Sequence, residues 1–172
     1  IAPLRSSNSN GYRKPSAGPT VCTSDNTWDG GNARSSTMRP GHDCAACHVV
    51  SPTSPELVIS GTVYPTGHEP DDCYGVDKSL GSVVEVTDAT GRVYALPTNT
   101  SGNFFLSRTA AAAGFVFPYT ARVLTPDGRV RSMPDPQAKG SCNACHSETG
   151  NDDAPGRIVA PPAGGAADAV HD

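Results

Sequence analysis

Two copies of one pentapeptide hold the residues best suited to do chemistry. Cys44-Ala45-Ala46-Cys47-His48 and Cys142-Asn143-Ala144-Cys145-His146 both read C-x-x-C-H, the spacing that attaches c-type haem. Two thiols three residues apart reach the two vinyl groups of one porphyrin, and the histidine that follows is aimed at the iron from the proximal side. The pattern occurs twice among only 6 cysteines and 5 histidines, which makes it a strong signal. Cys44, Cys47, Cys142 and Cys145 are therefore the expected attachment points for two covalently bound haem c groups. His48 and His146 are the expected proximal iron ligands.

Two other chemistries use C-x-x-C. A redox dithiol should follow a strand and open a helix in a βαβ pattern, and no such pattern is visible here. A four-thiolate zinc site usually has its two halves fifteen to twenty residues apart, whereas most of the chain separates these two. Neither alternative explains a histidine placed identically after both pairs.

The opposite side of each iron decides what it does. A second strong ligand favours outer-sphere electron transfer, and an open position permits substrate chemistry. The remaining candidates are His68, His42, Met133, Met38 and His171, in that order of expectation. His68 lies in Thr66-Gly67-His68-Glu69-Pro70, where Glu69 or Asp71 could orient its ring. Its bland reading is a solvated loop histidine. His42 sits too close to Cys44 to swing over its own haem, but it could reach the other. Met38 and Met133 each shortly precede a motif; thioethers in loop-rich chains are more often gap-fillers, although a His/Met iron has a raised potential. His171 ligates only if its tail docks. Bis-histidine ligation is the expectation.

Cys22 and Cys73 are left over. They can pair as a disulfide closing the span around the first motif, as suits an oxidising compartment, or they can remain two free buried thiols. The chain opens Ile1-Ala2-Pro3, which reads as a processed N-terminus from which a signal has been removed. Haem is joined to C-x-x-C-H outside the cytoplasmic membrane in bacteria. The expected location is thus extracellular or at the cell surface, otherwise periplasmic.

At 172 residues the chain fits one domain with tails, and 36% hydrophobic with 6% aromatic content is lean for a core. Two haems would supply apolar surface that the side chains lack. Gly 18 and Pro 16 make about a fifth of the residues turn-formers, against long helices. A net charge of -4 offers no basic surface for nucleic acid, and no apolar run approaches the length of a membrane span. Residues 1–20 form a polar tail, 21–55 a segment carrying the first motif, 134–160 a segment carrying the second, and 161–172 a tail rich in Ala, Gly and Pro. Between them, residues 56–133 show short apolar runs divided by turn signals. Strands are expected near 57–64, 82–87, 92–96, 103–107, 115–124 and 129–132, with turns at Asp88-Ala89-Thr90-Gly91 and Pro126-Asp127-Gly128. The fold class is mainly β: a small antiparallel sandwich flanked by loop-rich segments, with very little helix. Six alternating strands would bring both motifs to one edge of the sandwich. A seventh strand between them would send them to opposite ends.

Gly61-Thr62-Val63-Tyr64, Val83 to Gly91, Ser101-Gly102-Asn103-Phe104 and Tyr119 to Val123 together resemble carboxypeptidase-regulatory-like, transthyretin-like β-sandwich domains. That resemblance covers residues 57 to 132 and implies a fold, not a function. With a motif on either side, the whole chain looks like the small secreted multihaem cytochromes of bacterial extracellular electron transfer. The resemblance implies a non-enzymatic electron carrier passing electrons to a redox protein, a mineral or an electrode-type acceptor. It further implies self-association, up to a conductive filament. A di-haem redox enzyme (a peroxidase or sulfur-compound oxidase) and a haem-based sensor or adhesion module are the alternatives.

Overall fold

The computed structural model describes residues 21–31, 34–76, 81–112 and 114–162. The expectations for residues 1–20, for most of the C-terminal tail and for His171 lie outside these. Among the described residues seven strands form two sheets: β1 (Leu57–Tyr64), β2 (Val83–Thr87), β3 (Val93–Pro97), β4 (Asn103–Ser107), β5 (Thr120–Leu124), β6 (Val130–Ser132) and β7 (Ile158–Val159). One sheet has the order β4-β1-β7 and the other β3-β2-β5-β6. Ile59 and Val63 from β1, Phe104 and Leu106 from β4, and Val84, Val86, Leu96 and Val123 from the second sheet share one buried cluster. A mainly β sandwich is therefore the fold, as the alternating pattern predicts.

The turn chemistry explains how short strands close so tightly. Asp88 accepts from the backbone N–H groups of Thr90 and Arg92, and Gly91 follows at φ 84°, so β2 and β3 are joined by a side-chain-braced turn. Asn99 plays the same part before β4, accepting from the N–H groups of Ser101 and Asn103. Gly102 completes that turn at φ 82°; a Cβ there would lie 2.7 Å from the Val63 carbonyl oxygen. Only glycine fits both demands.

Two expectations change. The strand expected over 115–124 begins only at Thr120, because Pro118 has no N–H to pair. Phe115, Phe117 and Tyr119 instead pack edge to face with one another, and Tyr94 tilts against Phe115. The sandwich is not wholly antiparallel, since β7 runs parallel to β1, pairing Val63 with Ile158 and Tyr64 with Val159. That seventh strand comes after the second motif rather than between the two, so it leaves the motifs on one side.

Strand β1 is the pivot. Seven of its eight residues, Val58 to Tyr64, are buried, which requires cover on both faces. One face meets the second sheet. The other receives the two motif-bearing segments, through Ser60, Thr62 and Tyr64. The N-terminal segment is pinned there by the Cys22–Cys73 disulfide, whose sequence separation is 51. Loop-closure entropy for a span of this size amounts to about 4 kcal/mol. Replacing both cysteines by alanine should lower the urea-unfolding free energy by about 3–4 kcal/mol, and an unchanged midpoint would contradict this role for the bridge.

Candidate functional site

The first motif forms a short helix, α1 (Cys44–Val49), whose N-cap Asp43 accepts from the Ala46 N–H at 3.1 Å. The second is tighter, a 3-10 turn over Cys142–Ala144. Both constructions put the two thiols on one side of a single turn and deliver the following histidine next to them. In both, the imidazole is locked the same way. His48 Nδ1 lies 2.8 Å from the Pro55 carbonyl oxygen, and His146 Nδ1 lies 2.9 Å from that of Gly156. A carbonyl can only accept, so Nδ1 carries the proton and Nε2 is left as the lone-pair nitrogen. Fixing one ring nitrogen on a carbonyl so that the other can ligate is how proteins orient metal-binding histidines.

Each motif borders its own apolar cleft. The larger, about 310 Å³, opens between the sheets and is lined by Cys142, Cys145 and His146 together with Phe104, Tyr119, Ala121, Val123, Met133 and Ile158. The smaller, about 160 Å³, is lined by Cys44 and His48 with Met38, Leu57, Phe104 and Phe105. Phe104, 1% exposed, belongs to both walls. One aromatic ring thus stands between the clefts.

The two motifs touch. Ser141 donates its hydroxyl to Asp43, the cap of α1. Asn143, 4% exposed, donates through Nδ2 to the His42 carbonyl at 2.9 Å and to Thr62 Oγ1 at 3.1 Å, and accepts the Thr62 N–H through Oδ1 at 3.0 Å. Thr62 Oγ1 also accepts from the Gly41 N–H and donates to Asn103 Oδ1. Asn103 in turn donates to the Met38 carbonyl at 2.9 Å. A continuous buried hydrogen-bond chain therefore runs from the loop before the first motif, across β1, into the second motif. Gly61 lets this happen: a Cβ on it would lie 2.6 Å from the Phe104 ring and 3.0 Å from the Cys142 Cβ.

Arg157 ties the same region from the other side. Its side chain is fully buried. It donates to the carbonyls of Glu69, Gly41 and His146, pairs with Asp71 at 2.6 Å, and lies 5.1 Å over the Tyr64 ring. Gly41, at φ 87°, has no room for a Cβ, which would lie 2.7 Å from the Tyr64 hydroxyl. Burial pushes the Tyr64 hydroxyl pKa upward, with Arg157 opposing, so the phenol stays neutral.

The thiols bear on the alternatives weighed from the sequence. Burial raises the Cys44 and Cys145 pKa values and pushes Cys142 up to about 11. A reactive dithiol needs the reverse, a thiolate stabilised at neutral pH. Among the described residues no three His, Cys, Asp or Glu side chains converge at metal-ligating distance. Cys44 at the smaller cleft, Cys142 and Cys145 at the larger, and an imidazole anchored through Nδ1 after each pair are the donor set that covalent haem would use.

No family model, curated protein or solved structure matches the chain. Its function therefore rests on its own geometry.

The remaining candidates divide clearly. His42 Nε2 lies 2.8 Å from Asp72 Oδ1, so that nitrogen is engaged. His68 Nδ1 lies 2.8 Å from the Glu148 carbonyl oxygen, so neither Glu69 nor Asp71 orients it. Glu69 instead accepts from Thr66 and the Thr23 N–H, and Asp71 is held by Arg157. His68 lines neither cleft, whereas Met38 and Met133 line one each. Sequence reasoning missed Asn143, Thr62, Asn103 and Arg157. Asn143 carried a readable hint, as the polar residue inside a motif whose counterpart, Ala45, is apolar.

Replacing Arg157 by methionine should destabilise the fold by about 3 kcal/mol, since three carbonyls lose a charged donor and Asp71 loses its partner. Lysine should restore little, because one ammonium cannot span the fork of contacts. Urea unfolding checks both, and a neutral Arg157→Met would contradict the role given to it.

Proposed function

We propose that this protein is an exported electron carrier that holds two c-type haems side by side. The carrying observation is a repeated geometry: a C-x-x-C pair on a single turn with its first cysteine at an apolar cleft, followed by an imidazole anchored through Nδ1. Haem, when bound, supplies reversible one-electron chemistry at its iron. Everything else is done by the chain. Cys44 and Cys47 hold one group and Cys142 and Cys145 the other. Each pair would hold its group by thioethers, S–H adding across a vinyl double bond with sulfur to one carbon and hydrogen to its neighbour, which would need no oxidant. His48 and His146 would present Nε2 to the metal, and the carbonyls of Pro55 and Gly156 fix their orientation. Leu57 and Phe105 give the smaller cleft apolar walls, and Val123 and Ile158 the larger.

The Cys22–Cys73 disulfide supports an oxidising location, where partners are other redox proteins or an external solid acceptor. The braced contact between the motifs favours a carrier, because rigid sites reorganise little when an electron arrives. Co-expression with a haem-attachment system should yield two haems per chain that survive acid–acetone extraction. Cys44→Ala/Cys47→Ala and Cys142→Ala/Cys145→Ala should each retain one. A chain that binds zinc and retains no covalent haem would refute the proposal, and steady turnover of peroxide would replace the carrier with an enzyme.

A further inference from the structure

We infer that the sixth ligands are the two methionines: Met133 in the cleft beside His146, and Met38 in the cleft beside His48. The inference deepens the haem reading above and rests on it. It reverses the ranking that sequence alone suggests, in which His68 and His42 come first.

The argument is one of placement. The chain has only 2 methionines, and they are divided between the clefts. Among the described residues, Met133 is the one thioether or imidazole lining the larger cleft besides His146, and Met38 is the one lining the smaller besides His48. Both are anchored by backbone rather than left on loose loops. The Met133 N–H donates to the Ala121 carbonyl at 2.9 Å, continuing the β5–β6 ladder one residue past β6. The Met38 N–H closes a turn on Ser35, while its carbonyl is held by Asn103. Each side chain leaves a fixed point and has three rotatable bonds with which to bring a soft sulfur to the metal.

The imidazoles are placed otherwise. His42 Nε2 is engaged with Asp72; His68 is anchored through Nδ1 on the Glu148 carbonyl just as His48 and His146 are on theirs, but it lines neither cleft. Met133 packs on one side against the core cluster, and both methionines are half-buried rather than enclosed. These two border open clefts, each facing a space shared with a proximal histidine.

Near-infrared magnetic circular dichroism of the oxidised holoprotein reads the ligand directly, because thioether-ligated and bis-imidazole iron give separate charge-transfer bands. The wild type should show the thioether band alone. Met38→Leu and Met133→Leu should each remove about half of it, the double variant all of it, and His68→Ala none. Met133→His should convert half of the signal to the bis-imidazole band and lower one of the two reduction potentials. A wild-type bis-imidazole band, lost in His68→Ala, would overturn the assignment, as would high-spin iron in the wild type. Those results leave the haem reading intact. A chain without covalent haem would remove the reading and the assignment together, so the two failures are distinguishable.

Discussion

The carboxamide of Asn143 is the joint on which the arrangement depends. It is buried, it belongs to the second motif, and its bonds reach the backbone before the first motif and both the backbone and the hydroxyl of Thr62 on β1. A buried amide with its partners in place is rigid, and one with a partner removed costs about 1–3 kcal/mol per orphaned group. The joint therefore has one comfortable geometry. It fixes the second motif against the strand, and through Thr62 and Asn103 it fixes the Met38 loop as well. Two segments separated by most of the chain behave as one structural unit.

This explains a strand that would otherwise be odd. β1 carries Ser60, Thr62 and Tyr64 on the face turned away from the second sheet, yet all three are buried. In a plain two-layer sandwich that face would meet water. Here it is the floor for two loop segments with little secondary structure of their own, and hydroxyls suit a floor whose cover is mostly backbone. Arg157 closes the opposite side. Its guanidinium satisfies carbonyls from the loop before the first motif, the loop after β1 and the second motif at once. Such a shared cation makes the three loops interdependent, so disturbing one is felt by the others. The larger cleft reaches into the space between the sheets, so the lean apolar composition has a structural counterpart: the side chains leave an apolar cavity between the layers.

Much of this could be read from the sequence. The strands over 57–64 and 103–107 follow from apolar runs bounded by Asn, Gly and Pro, and the disulfide from simple counting of cysteines. The motifs identify six residues by spacing alone. What stayed hidden depends on contacts between distant segments. Nothing local to His68 says that a carbonyl from Glu148 will hold it outside both clefts. Nothing local to Met133 says that it will line the same cleft as His146. The strand over 158–159 is two residues long and exists because β1 offers an edge, so no periodicity could announce it. Pro118 could have warned that the 115–124 run breaks, since proline cannot serve in a central ladder, but the alternation of Phe117, Tyr119, Ala121 and Val123 spoke louder.

The central claim is that two proposed haem sites are held in fixed contact by this joint. Circular dichroism in the Soret region tests it most directly, because two transition dipoles close together in a fixed orientation couple and split the band. The account predicts a bisignate signal for the di-haem protein that exceeds the sum of the spectra of the two single-haem variants, and that weakens in Asn143→Ala. A di-haem spectrum equal to that sum would mean that the sites are distant or loosely oriented, and it would contradict the account.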